Sequence, residues 1–174
     1  MTMGDAGHTI GVTVAIPSPH RETIDEVRAL HSAQPLDMPA HITILAPVDV
    51  DADALPGVLA HLERVAARTS AFPVLLRGTG TFRPVSPVVF LALAQGISAC
   101  EQLECDVRSG VLGVEVRFPY HPHVTLAHDV DEQSLDDAFG ALSDYTVDMW
   151  ISGMDLHEYD GIRWRLLQTF PFTG

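Results

Sequence analysis

The 174 residues contain no lysine and no asparagine. All ten basic side chains are arginines. A chain without lysine has no P-loop phosphate site of the usual kind, no Schiff-base amine and no amine nucleophile to take AMP from ATP. A chain without asparagine has no N-glycosylation acceptor. Cysteine is scarce too. Cys100 and Cys105 are the only two, and the helical period of their segment sets them on roughly opposed faces. Their spacing fits neither a CxxC pair nor a zinc site, which points to a reducing compartment. No stretch approaches the roughly twenty apolar residues of a membrane helix. Met1 to His8 is polar and lacks a basic region, so no signal peptide is expected. The starting expectation is a cytoplasmic enzyme.

What is present is globular. Hydrophobic residues make up 47% and charged residues 19%, enough to build one domain over residues 1–174 without covalent staples. The net charge is −13. That charge repels a nucleic-acid backbone and argues against general duplex binding. A short anionic ligand in a locally positive cleft remains compatible with it.

The patterning alternates between strand and helix. Ile10–Pro17 (IGVTVAIP) is short, β-branched and closed by proline, so it reads as a buried strand. Pro19–Ser32 has apolar Ile24, Val27 and Leu30 at helical spacing, which predicts a helix with those three facing the core. Ala40–Val48 reads as a strand. Asp53–Thr69 reads as a helix starting near Leu55, because Pro56 suits a first turn. Phe72–Phe82 is extended. The order then recurs, with a strand at Val88–Ala94, a helix at Ile97–Arg108, a strand at Tyr120–His128 and a helix at Val130–Leu142 begun by Asp131. Tyr145–His157 and Ile162–Phe172 read as two closing strands joined through Tyr159-Asp160-Gly161. Each half carries one His-x-Thr on its second strand, His41-Ile42-Thr43 and His123-Val124-Thr125. The expectation is an internal duplication, with a first lobe at about 10–82 and a second at about 88–172. Arg83–Pro87 would be the crossover between them.

In a strand, residues i and i+2 share a face. His41 therefore projects with Thr43, and His123 with Thr125, while Ile42, Ile44, Val124 and Leu126 point the other way. A single His-x-Thr is a common strand tripeptide and carries little. Two at matched places of a duplicated unit can converge on one cleft. With ordinary pKa values near 6.5, one imidazole can accept a proton while the other donates one. Two hydroxyls can donate hydrogen bonds to phosphate oxygens. Such a set performs acid–base displacement at phosphorus and requires no metal and no cofactor.

The segments MPAHITILAPV, around His41 and Thr43, and FPYHPHVTLAHDV, around His123 and Thr125, resemble the motifs of the 2H phosphoesterases, the 2′-5′ RNA ligase and cyclic phosphodiesterase-like group. GTGTFRPVSPVVFLAL is similar to that family's central segment, and the resemblance runs from Ile10 to Phe172. It implies an α+β fold of two duplicated sheet-and-helix lobes with pseudo-twofold symmetry around a central cleft. It also implies hydrolysis or opening of 2′,3′-cyclic or 2′-5′ phosphodiesters on RNA ends or small nucleotides, or the reverse ligation. His41 and His123 would be the acid–base pair, and Thr43 and Thr125 the phosphate clamps. Which histidine is base and which is acid stays open, as do the direction of reaction, the exact substrate and the oligomeric state.

Further candidates surround these four. Phe82 and Tyr120 could stack on a base. Arg83 and the pair Arg163 and Arg165, placed two apart on one strand face, could supply positive charge. His121 with His123 forms a His-Pro-His that could hold a metal if a third ligand were near. His128 stands where many relatives have an arginine. His8, His20, His31, His61 and His157 have no partner at useful spacing and read as surface or tail residues. Gly78-Thr79-Gly80 lacks both the third glycine and the following helix of a dinucleotide loop. Two alternatives from other classes are a non-catalytic RNA-end or nucleotide-binding module and a histidine–metal hydrolase. The partner in the first-choice case is a small nucleotide or an RNA terminus, with no membrane involved.

Overall fold

The computed structural model describes residues 7–33 and 36–174. Residues 1–6, on which the expectation of no signal peptide mainly falls, and Gln34 and Pro35 lie outside the described residues. In chain order the elements are β1 (His8–Ala15), α1 (His20–Leu30), β2 (His41–Val50), α2 (Leu55–Arg68), β3 (Phe72–Thr81), β4 (Val88–Gln95), α3 (Ile97–Val107), β5 (His123–His128), α4 (Glu132–Ala141), β6 (Thr146–Ile151), β7 (Gly153–Tyr159) and β8 (Trp164–Pro171). Short 3₁₀ turns at Ala52–Ala54 and Gly110–Leu112 complete them. The strands form two four-stranded sheets, ordered β2-β1-β7-β8 and β5-β4-β3-β6. All six pairings are antiparallel.

The duplication is visible in the register. On β1 and β2, Ala15 faces His41 and Thr13 faces Thr43. On β4 and β5, Ala92 faces His123 and Phe90 faces Thr125. The two His-x-Thr strands are thus edge strands in equivalent places of two similar sheets, the α+β pseudo-symmetric arrangement expected.

Sheet membership does not follow the consecutive halves 10–82 and 88–172. β3 joins β4 and β6 in the second sheet, while β7 and β8 return to β1 in the first. The cause is local. Phe82 donates its backbone N–H to Val88 O over 3.0 Å, and Val85 to Phe82 O over 2.9 Å. Arg83–Pro87 is therefore a tight hairpin connection that keeps β3 beside β4, not a crossover between lobes. The chain passes to the second sheet through α2, between β2 and β3, and returns at Ser152. There the segment Tyr145–His157, expected as one strand, divides into β6 on β3 and β7 on β1.

One core joins the elements. Ile24 of α1, Val58, Leu62 and Val65 of α2, Cys100, Leu103 and Val107 of α3, and Leu135 and Ala138 of α4 are buried with the inward residues of both sheets. Each large aliphatic side chain buried this way is worth about 1.5–3 kcal/mol. Leu30, expected in the core, is the last residue of α1 and is 79% exposed. α2 has proline in its first turn, as Pro56 suggested. α4 begins on Asp131, whose carboxylate accepts the Ser134 N–H over 2.9 Å. Cys100 is buried and Cys105 exposed. Among the described residues no helix is long and apolar enough to cross a membrane.

Candidate active site

Strand alternation sorts the side chains of both motifs. Ile42 and Ile44 are buried in the core, as are Val124 and Leu126. His41, Thr43, His123 and Thr125, on the opposite faces, stay partly open. β2 and β5 pack against one another. Thr43 from one and His123 from the other line a single cavity of about 790 Å³.

The two imidazoles are held in the same way. His41 Nδ1 lies 2.7 Å from Pro39 O, and His123 Nδ1 lies 2.7 Å from His121 O. A carbonyl only accepts, so Nδ1 carries the proton in both rings and Nε2 carries the lone pair of the neutral form. Each motif therefore fixes its own tautomer through the carbonyl two residues upstream. Burial pushes the His41 pKa down to about 4, helped by the charges of Arg28 and His157 and opposed by the Pro39 bond and Asp25. Burial lowers His123 as well; its bond to His121 O opposes this and the His121 ring assists it.

The surroundings of the two histidines differ. Beside β2, Thr13 Oγ1 and His157 Nε2 lie 3.2 Å apart and both side chains are buried. Burial lowers the His157 pKa against the pull of Asp155 and Asp37. At the matching register of β4 stands Phe90. Its ring centroid is 5.2 Å from that of His123 and 4.5 Å from that of Phe82, and Phe82 meets His123 edge-on at 5.1 Å. Gly80 makes this possible, since a Cβ there would lie 2.7 Å from the Phe90 ring. One histidine is thus set in a polar corner and the other in an aromatic one. Phe90 and His157 were missed as neighbours of the site. Period-two alternation along β4, with Val89 and Leu91 in the core, would have found Phe90; the strand exchange hid His157.

The remaining candidates separate. Phe82 forms part of the cavity wall. Tyr120 lines it too, but its hydroxyl donates to Thr43 O over 2.8 Å, and burial pushes its pKa up. Arg83 turns to α4, donating to Glu132 and Asp136 over 2.8 and 2.9 Å. Arg163 and Arg165 do not share a strand face, because Arg163 lies in the turn before β8. Arg165 is bonded to Asp160. Its register through Glu158 to Ile10 sets it five residues along from the His41 level, about 17 Å at strand rise. His121 precedes β5 rather than lying on it, with its ring 6.0 Å from that of His123. No group of three metal-ligating side chains occurs among the described residues. His128 faces Asp129 at 3.2 Å on the surface. Three histidines expected at the surface have partners: His61 is buried against Val107 O at 2.9 Å, His157 against Thr13, and His8 is paired with Glu158.

Comparison with known proteins places the chain in one family. The model of the 2′-5′ RNA ligase superfamily matches residues 16–163. A provisionally named phosphoesterase of Geobacillus kaustophilus is 22% identical over 94% of this chain and 96% of its own. Another, from Geobacillus sp. strain WCH70, is 24% identical over 79% of this chain and 80% of its own. Among solved structures, Escherichia coli LigT complexed with 3′-AMP superposes with a TM-score of 0.74 at 21% identity, over 97% of this chain and all of LigT. A Thermus thermophilus protein superposes at 0.64 and 21%, covering 95% of this chain and 98% of its own. The chain belongs to the 2′-5′ RNA ligase superfamily of 2H phosphoesterases.

Proposed function

We propose that this protein is a phosphodiesterase that opens 2′,3′-cyclic or 2′-5′ phosphodiesters by two-histidine acid–base catalysis. The observation that carries this is the matched pair of imidazoles, each with Nδ1–H pinned to a backbone carbonyl and Nε2 left without a partner among the described residues. His41, with the lower pKa, is neutral over nearly the whole working range and acts as the base. Its Nε2 takes a proton from water as the water oxygen attacks phosphorus. His123, protonated when the substrate anion is bound, gives its Nε2 proton to the leaving ribose oxygen as the P–O bond breaks. The Thr43 and Thr125 hydroxyls donate to the non-bridging oxygens, where charge grows in the transition state. Protons and charge are handled by four side chains, so no step calls for a metal. The capture of LigT with 3′-AMP supports a small nucleotide or a nucleotide terminus as substrate.

The test is hydrolysis of adenosine 2′,3′-cyclic phosphate in excess EDTA, with His41→Ala and His123→Ala alongside. Turnover in chelator that both variants lose is the expected result. Turnover that returns only with a divalent metal would overturn the mechanism.

A further inference from the structure

The cavity beside the two motifs is unevenly built. Thr43 and His123, phosphate-handling groups of the proposed function, lie on its wall, and much of the remaining wall is apolar, including Leu45, Pro47, Val85, Val116, Phe118 and the ring of Tyr120. Its 790 Å³ lies within the roughly 300–1,000 Å³ typical of small-molecule sites. Charge is sparse and balanced. The wall carries one guanidinium, Arg117, two carboxylates, Glu104 and Glu115, and the imidazole of His121 beside that of His123. Glu104 is already bonded to Arg108. Arg83, next in sequence to Phe82 of the wall, points its guanidinium at Glu132 and Asp136. Among the described residues the lining therefore has no excess of guanidinium over carboxylate, and the whole molecule adds a repulsive field with its net charge of −13.

We propose that the site selects a substrate with a single phosphodiester and one bulky, uncharged, nucleoside-sized group, and discriminates against any second phosphate. This rests on the phosphodiesterase function above and narrows its substrate class to mononucleotide-like esters, excluding RNA ends and polyphosphates. The uncharged group fills the apolar cavity while the diester lies between the histidines. A second phosphate would have to shed water against apolar wall and the Glu115 carboxylate, with only the exposed Arg117, which stacks over Phe118, as a wall guanidinium to receive it. Proteins that hold nucleic-acid chains do so through lysine and arginine contacts to successive phosphates, and this wall supplies one arginine, Arg117, alongside Glu104 and Glu115.

Two measurements on the full chain test it. The first is calorimetric binding of adenosine 3′-monophosphate and adenosine 3′,5′-bisphosphate at low and moderate salt. The monophosphate should bind about fivefold or more tightly, with little salt dependence. The second is kcat/KM for adenosine 2′,3′-cyclic phosphate, its 5′-phosphorylated form and a short RNA ending in a cyclic phosphate. The unphosphorylated nucleotide should lead by about tenfold. Glu115→Arg should shrink both preferences. Equal or better handling of the bisphosphate or the RNA overturns the proposal, as does failure of the monophosphate to bind. A clear binding preference without turnover of any cyclic phosphate would instead refute the phosphodiesterase function and leave the selectivity standing.

Discussion

The Tyr120 hydroxyl donates to the Thr43 carbonyl over 2.8 Å. It ties the segment leading into one His-x-Thr strand to the backbone of the other, across two different sheets. The spacing between the motifs therefore depends on a contact whose donor lies outside both motifs. Tyr120→Phe removes that bond while keeping the ring. It should cost about 1 kcal/mol of stability and lower kcat more than KM, because the ring still lines the cavity. Chemical denaturation and steady-state kinetics on the same variant check both halves.

The aromatic corner rests on a missing side chain. Gly80→Ala places a methyl 2.7 Å from the Phe90 ring, so Phe90 must leave its stack on Phe82 and His123. Overpacking of this kind costs about 1–3 kcal/mol. Activity should fall with it, since His123 loses Phe90 as a ring neighbour. Phe90→Leu relieves the clash in the Gly80→Ala background and should recover most of the stability; unchanged stability in Gly80→Ala alone would show that the ring has room to move.

In the proposed mechanism the two threonine hydroxyls act on charge that develops only at the transition state. Thr43→Val and Thr125→Val keep the β-branched shape and remove one donor each. Loss of a donor of this type costs about 10²-fold in kcat, with KM nearly unchanged. A rise in KM at constant kcat would instead mark the threonines as ground-state binders.

Proton balance sets two pH dependences. Folded His41 titrates near 4 and its unfolded form near 6.5. Between those values the unfolded chain holds more protons, so stability rises with pH from about 4 to about 6.5 and levels off above. The lowered His123 adds in the same direction. His41→Gln should flatten that slope in denaturation curves taken across the window. For kcat/KM, the acid limb should lie near pH 4 and the basic limb below 6.5. Both limbs report the pair and not either ring alone.

The motifs were legible because a strand has period two: one buried Ile or Val between each His and Thr assigns both faces without further information. Helix starts at Pro56 and Asp131 were legible for the same reason, since caps and first turns are local. The exchange of strands was not. The phase of alternation changes across Ser152-Gly153, from Val147, Met149 and Ile151 to Met154 and Leu156, but such a change marks a bulge within one strand as readily as a passage between sheets. Side chains with distant partners were also opaque. Arg83 meets Glu132 and Asp136 about fifty positions away, and His61 meets Val107 O. No spacing rule reaches across a tertiary contact, so Arg83 was expected to face a substrate and His61 to face water.

The central claim is that His41 and His123, from separate sheets, work as one acid–base unit. The direct measurement is kcat for His41→Ala, His123→Ala and the double variant on a 2′,3′-cyclic nucleotide. Each single change should remove most of the rate enhancement, and the double change should cost little more than either alone. Losses that simply multiply, or a single variant that keeps near wild-type kcat, would contradict it.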